Sequence, residues 1–328
     1  MSLPLVRIVT PYGAAANNGN WRTAARWARL LHGRYRIMVQ ADPLPGEAPP
    51  AGAAGDCLIA LHARRSYPAI RAWRERFPQR PLIVVLTGTD LYRDLPADQE
   101  AQASLRLADR LVLLQDDALR HLPVPVRRKA RVIYQSAPPL MPAERPASRL
   151  NCILVGHLRA EKDPGTALRA WALLAPDLPL HLLHVGGALD TDLAAECEVS
   201  MARDPRYRWV GARPHAWARQ AIKRAHLLIL PSRMEGGANV IVEAVTAGTA
   251  VLASRVSGNI GMLGRGYAGY FPVGDAQALA RLVQRCWNDA AFHRRLARKC
   301  RARRALFTPA RERAALLRLL GEVLPGRS

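Results

Sequence analysis

No apolar run in this 328-residue sequence approaches the roughly 20 residues needed to cross a bilayer, so no membrane span is expected. The opening "MSLPLVRIVTPYG" lacks the basic-then-apolar layout of a signal peptide, and residues 3–11 read as a first strand. The five cysteines stand at 57, 152, 197, 286 and 300, an odd number with no metal-like or redox-motif spacing. Reduced thiols in a cytoplasmic protein are the expectation. Acidic residues are scarce, 26 Asp and Glu against 48 Lys and Arg, for a net charge of +22. Such a balance suits nucleic acid, an anionic membrane surface or a small anionic substrate. There is no zinc finger, RNA-binding aromatic signature or basic low-complexity tail. The densest basic stretch, "HRRLARKCRARRALFTPARERAALLRLL", keeps Leu296, Leu306, Ala314, Leu317 and Leu320 as packing positions. Most of the charge therefore reads as solvated helix faces, and no nucleic-acid partner is expected. No repeat of solenoid period is present.

What is present is alternation. Short Val/Ile/Leu runs such as "LVRIVTP", "CLIALHA", "PLIVVLTG" and "RLVLLQ" precede helix-like runs such as "NWRTAARWARLL" and "YPAIRAWRERF". Such alternation predicts parallel sheets covered on both faces. Residues 135–149, "QSAPPLMPAERPASR", break it with prolines and no periodicity, and read as an interdomain linker. The alternation restarts at "LNCILVGHL". The expected organisation is two doubly wound, Rossmann-like α/β domains, 1–140 and 150–308, facing a central cleft. A C-terminal helix, 309–328, is expected to pack back toward the first domain. Ligands of such folds bind at the carboxyl ends of the strands. "HLLH", 181–184, falls within a strand, where i and i+3 point to opposite faces, so it is not a metal site.

The segment "MEGGANVIVEA", 234–244, follows the strand-like "HLLIL" and carries two glutamates eight positions apart, Glu235 and Glu243. Gly236, Gly237 and Ala238 allow close approach of a ligand to the backbone. Asn239 is expected to cap a helix whose first N–H groups, at Asn239 and Val240, suit a phosphate. Two carboxylates beside a diphosphate make sense as acceptors for sugar and ribose hydroxyls. The plain alternative is a tight turn followed by a helix with a solvated glutamate. "VGHLRAEKDPGTALRAW" places Arg159 and Lys162 between a strand and a helix, where cations could hold a diphosphate leaving group. Surface charge in a strand–helix loop is the plain alternative.

Together "GHLRAEK" and "PSRMEGGANVIVEA" resemble the donor half of family 4 glycosyltransferases of the GT-B fold. That family carries G-R-L-x-x-x-K followed by P-S-x-x-E-G-x-G-x-x-x-x-E-A. The resemblance implies that Glu235 meets the donor sugar, Glu243 the ribose and Lys162 the diphosphate. Gly156 matches the first glycine. His157 stands where the family has arginine, and Arg159 is taken as its substitute. Gly237 and Ala238 depart from a usual aromatic and a usual glycine. "VGAR", with Gly211, Ala212 and Arg213, matches the strand-end loop that meets the base. Neutralisation by Lys162, Arg159 and the helix N-terminus leads to the expectation that no metal and no cofactor is needed, the UDP-sugar being a substrate.

The first half offers "TPYGAAANNGNW", which is neither G-x-G-x-x-G nor a P-loop. Its Asn17, Asn18, Gly19 and Asn20 form a polar loop at a helix start, a candidate anion cradle. "LTGTDLY" ends a strand with Thr87, Gly88, Thr89 and Asp90, and His62 ends "CLIALH". A turn with an asparagine cap and a structural histidine are the plain alternatives. These strings resemble the selenosugar synthases of selenoneine biosynthesis. That resemblance implies transfer of a sugar from UDP-N-acetylglucosamine or UDP-glucose to selenophosphate, with loss of UDP and phosphate. Pathway enzymes are further candidate partners. Other readings are a family 4 transferase acting on a carbohydrate or lipid, and a basic nucleic-acid-binding protein.

Overall fold

The computed structural model describes residues 3–13, 19–41, 56–141 and 143–324. Asn17 and Asn18 lie outside the described residues. The chain divides into two units, one of Met1–Gln135 with Thr308–Ser328, the other of Ser136–Phe307.

The first unit runs β1 (Leu5–Thr10), α1 (Gly19–Leu31), β2 (Arg36–Ala41), β3 (Cys57–Leu61), α2 (Tyr67–Arg76), β4 (Leu82–Leu86), α3 (Gln99–Leu107), β5 (Arg110–Leu113) and β6 (Ala130–Val132). Its strands form one parallel sheet in the order β2-β1-β3-β4-β5-β6. β3 and β4 are buried along their whole length, which is why they read as unbroken apolar runs. Alternate residues of the strands feed two cores. Ile8, Ile59 and Val85 join Trp27 and Leu31 of α1 on one face, while Leu58, Val84 and Leu111 join Ile70, Trp73 and Leu105 on the other.

The second unit runs β7 (Leu150–Val155), α4 (Pro164–Ala172), β8 (Leu180–Val185), α5 (Thr191–Arg203), β9 (Tyr207–Trp209), α6 (His215–Arg224), β10 (Leu227–Leu230), α7 (Asn239–Ala247), β11 (Ala250–Ser254), α8 (Ser257–Leu263), β12 (Tyr270–Phe271), α9 (Ala276–Asn288) and α10 (Ala290–Arg303). The sheet is again parallel, in the order β12-β11-β10-β7-β8-β9. The Pro-rich stretch lies along this unit. Arg145 donates to the carbonyls of Lys223 and Gly248 and to the Thr249 hydroxyl. In β8, His181 is exposed and His184 is buried, so the two do not share a face. Burial pushes the His184 imidazole down to about 4, so it is neutral in the core.

α11 (Pro309–Val323) returns to the first unit. Thr308 caps it and Pro309 opens it. Leu316, Leu319 and Leu320 enter the Trp27 core. Glu312, with a fully buried side chain, accepts from Arg26 Nε at 2.9 Å and from Trp27 Nε1 at 2.7 Å. A buried carboxylate needs such donors, and removing one member of a buried pair strands the other. Glu312→Ala is therefore expected to cost the first unit about 3–5 kcal/mol, measured as a lowered urea midpoint. An unchanged midpoint would show that α11 contributes little.

Candidate functional site

In the second unit the chemistry gathers where β7, β8 and β10 end. β7 leads into Gly156 and His157, then a single 3₁₀ turn, Ala160–Lys162. Asp163 follows in the left-handed region at φ 47°, and Pro164 opens α4. His157 Nδ1 accepts the Gly187 N–H at 3.0 Å, and Leu158 N–H is bound by Gly187 O at 2.9 Å. The imidazole in the family's arginine position therefore ties two loops together. The approach is closest at Gly186, where a Cβ would stand 1.7 Å from Gly156 O. Only glycine fits there, a requirement that spacing alone did not single out. The Arg159 side chain is exposed and, among the described residues, takes part in no ion pair.

Lys162 turns from this loop to the next one. Its Nζ donates to Glu235 Oε1 at 2.6 Å, and Ser232 Oγ donates to the same oxygen at 2.6 Å. Glu235 is only 8% exposed. A carboxylate so buried needs such partners. The backbone joins the loops as well, since Arg233 N donates to Glu161 O at 2.9 Å. Beneath them α8 presses on the Glu235 turn. A Cβ at Gly258 would lie 1.8 Å from Glu235 O. Asn259, fully buried, donates to Ser254 O at 2.9 Å, and Ser254 Oγ donates to Ser232 O. Ser232, Ser254, Gly258 and Asn259 thus hold Glu235 from below and were not foreseen.

Asn239 is not the helix cap. Ala238 occupies that position with no side chain to accept, and α7 begins at Asn239. The first bonds go from Ile241 and Val242 back to Ala238 O. Among the described residues nothing accepts from the N–H of Asn239 or Val240. An uncapped helix N-terminus leaves donors and a positive dipole end to an incoming anion. Neither Gly236 nor Gly237 has a positive φ, so backbone conformation does not demand glycine there. Glu243, 7% exposed, is bound through Oε1 to His215 Nε2 at 2.6 Å. His215 begins α6, after the loop Gly211 (φ 69°), Ala212 and Arg213. The Arg213 guanidinium lies over Trp217 at 5.9 Å.

In the first unit, Gly19 and Asn20 open α1. Asp90, a candidate ligand-facing residue at the end of β4, turns inward instead. It is fully buried, and its carboxylate accepts from the N–H groups of Ala63, Thr87 and Gly88 at 2.8 to 2.9 Å. Arg93 pairs with Asp94 instead, at 3.0 Å. Asp90 is a clasp between the β3 and β4 ends. His62 sits at φ 77°, a strained conformation for a non-glycine residue, costing about 1–3 kcal/mol. Its Nδ1 accepts from Arg65 N–H at 3.2 Å, and its Nε2 meets Thr89 Oγ1 at 3.0 Å. Burial, against the opposing pull of Asp90, holds the ring below its usual range. The neutral ring then carries its proton on Nε2 and donates to Thr89, leaving the Thr89 hydroxyl proton to donate outward. Asp94 Oδ2 lies 3.9 Å from the same Nε2. A nucleophilic triad needs its two partners on opposite ring nitrogens, so these three do not form one. A pocket of about 620 Å³ lies at the other ends of β4 and β5, lined by Arg74, Arg106 and Lys129 among others. The Lys129 ammonium there is spent on the carbonyls of Arg106 and Ala108.

Residues 149–289 match the family model described as "Glycosyl transferases group 1". The two parallel-sheet Rossmann-like units match the GT-B fold of solved structures. HepE of Anabaena, solved with UDP and glucose, superposes at a TM-score of 0.76 and 16% identity, covering 97% of this chain and 100% of that one. Sucrose-phosphate synthase from Thermosynechococcus elongatus superposes at 0.78 and 17% identity, covering 97% and 98%. Among curated proteins, D-inositol 3-phosphate glycosyltransferase of Streptomyces avermitilis is 28% identical over 302 residues, 85% of this chain and 57% of the relative. That of Corynebacterium kroppenstedtii is 34% identical over 112 residues, 32% of this chain and 25% of the relative. The chain thus spans little more than half the length of the first of these relatives and a quarter of the second.

Proposed function

We propose that the chain is a glycosyltransferase that moves a sugar from a UDP-sugar to selenophosphate. The observation that carries the donor half is the Lys162–Glu235 contact at 2.6 Å beside the uncapped start of α7. A cation, two open N–H groups and a carboxylate within two joined loops match the demands of a sugar diphosphate. Lys162 and the N–H groups of Asn239 and Val240 take the charge that develops on the departing UDP, with Arg159 as a further exposed cation. Glu235 accepts from the sugar's hydroxyls and Glu243 from the ribose. HepE was solved with UDP and glucose, which supports UDP as the nucleotide. No metal is assigned a role.

The acceptor half rests on the resemblance of "TPYGAAANNGNW" and "LTGTDLY" to selenosugar synthases, and on Thr89. A hydroxyl polarised by His62 suits an oxyanion. Selenium attacks the anomeric carbon as the bond from that carbon to the UDP oxygen breaks. Water then takes the phosphoryl group from selenium, releasing phosphate and the selenosugar. The nucleophile arrives ionised, so no side chain must remove a proton. A second reading is transfer to a phosphorylated polyol or sugar. The name D-inositol 3-phosphate glycosyltransferase favours it.

Mass spectrometry of a reaction with UDP-N-acetylglucosamine or UDP-glucose, selenophosphate and purified protein tests the reading. A sugar–selenium product, insensitive to chelator and with weakened selenophosphate dependence in Thr89→Ala, is expected. Transfer only to a carbohydrate, polyol or lipid would overturn the acceptor assignment. Magnesium dependence would overturn the assignment of the leaving group to Lys162 and α7.

The support beneath Glu235 yields a separate test. Gly258→Ala places a methyl group against Glu235 O, so the turn must shift. A displacement of about 1 Å costs on the order of 10²-fold in rate. Turnover in Gly258→Ala should fall by that order with an unchanged circular dichroism spectrum. Wild-type turnover would show that Glu235 placement does not matter.

A further inference from the structure

Glu243 has a partner that no motif announces. Its carboxylate is attached to a helix whose neighbouring side chains Ile241, Val242, Ala244 and Val245 are all buried. His215 Nε2 donates to Oε1 at 2.6 Å, the short distance of a charge-assisted hydrogen bond. Among the described residues no other side chain binds this carboxylate. Among the described residues Oε2 has no hydrogen-bond partner, and it is not among the buried unpaired atoms, so it is not fully enclosed. The two sides of the contact differ in exposure, 46% for the His215 side chain and 9% for Glu243. A pair between two exposed groups would be worth little. Here one member is an enclosed carboxylate whose rotation the imidazole arrests.

The placement of His215 is itself rigid. Pro214 precedes it at φ −54°, α6 packs on α7, and its Ala218 and Ile222 are buried. The loop Gly211–Arg213 runs directly into this corner. His215 therefore links the loop expected to meet the base with the glutamate expected to meet the ribose.

We propose that His215 is a positioning residue for nucleotide recognition: it clamps Oε1 of Glu243 and leaves Oε2 aimed to accept a ribose hydroxyl. This rests on the UDP-sugar reading of the second unit. Pre-organising one acceptor lowers the ordering cost of binding and makes the site discriminate for the hydroxyl it awaits. Without His215 the carboxylate turns freely or recruits water, and the preference for ribose collapses.

Calorimetry with UDP, 2′-deoxy-UDP and 3′-deoxy-UDP tests this on wild type, His215→Ala, His215→Gln and Glu243→Ala. The wild type should prefer UDP over at least one deoxy analogue by about tenfold, the worth of one hydrogen bond to a charged group. His215→Ala should lose that preference, and His215→Gln, which keeps a donor near Oε1, should restore most of it. A general loss of packing would weaken all three ligands alike and leave the preference intact, which would overturn the proposal. If His215→Ala keeps the preference while Glu243→Ala loses it, the clamp is wrong and the ribose reading stands. If Glu243→Ala keeps both affinity and preference, the ribose reading fails and the clamp falls with it.

Discussion

The hydrogen-bonded ion pair of Lys162 with Glu235 is the contact on which the candidate site in the second unit depends. Lys162 stands after β7 and Glu235 after β10, strands that are neighbours in the sheet. Folding therefore brings together side chains 73 positions apart in sequence. Isolated, the Glu235 carboxylate would be costly to bury. Paired with Lys162 and Ser232 it is satisfied. The same logic holds for Glu243 and His215. On the proposed reading an incoming sugar diphosphate would offer anionic oxygens to the lysine and hydroxyl donors to the glutamates. Binding on this account is an exchange of partners, with no buried charge stranded at either end.

Rigid backing fixes the two loops. Gly186 against Gly156 and Gly258 against Glu235 leave no room for a side chain. The loops carrying Lys162 and Glu235 are thus fixed by backbone-to-backbone packing as well as by their own hydrogen bonds. In the first unit the β3 and β4 ends are fixed by different means. Asp90 gathers three N–H groups into a buried clasp, and His62 takes a strained backbone conformation beside it. The Asp90 carboxylate is thereby satisfied internally. The Thr89 hydroxyl beside it is oriented by the His62 imidazole.

The parallel α/β architecture was legible because the central strands are buried on both faces and so read as unbroken apolar runs. β2, β6 and β12 were not, for a physical reason. β2 and β12 are edge strands of partial burial, and β6, also at an edge, has three residues of intermediate burial. The run "DDALRHL" forms a 3₁₀ turn after a Gln115 cap, cut short before Pro123. In the site, "GHLRAEK" and "PSRMEGGANVIVEA" are two loops that the fold brings into contact. Their sequence did not reveal that Lys162 and Glu235 hold each other, because that contact depends on strand order. Asn239 read as a cap on propensity alone, whereas the turn places Ala238 there. His215 carried a faint signal, a polar residue after proline at the start of a helix following "VGAR". Gly258 carried no signal in the sequence, since a glycine's need for space is set by what packs on it.

The account's central claim is that the second unit binds a nucleoside diphosphate through Lys162 and the open N-terminus of α7. The most direct measurement is a crystal structure of the protein with UDP bound. The account predicts the distal phosphate within hydrogen-bond distance of the Asn239 and Val240 N–H groups, with Lys162 Nζ moved from Glu235 toward the phosphate oxygens. Glu243 should meet the ribose. UDP seated elsewhere on the molecule, or a diphosphate in place with Lys162 still bound to Glu235, would contradict it.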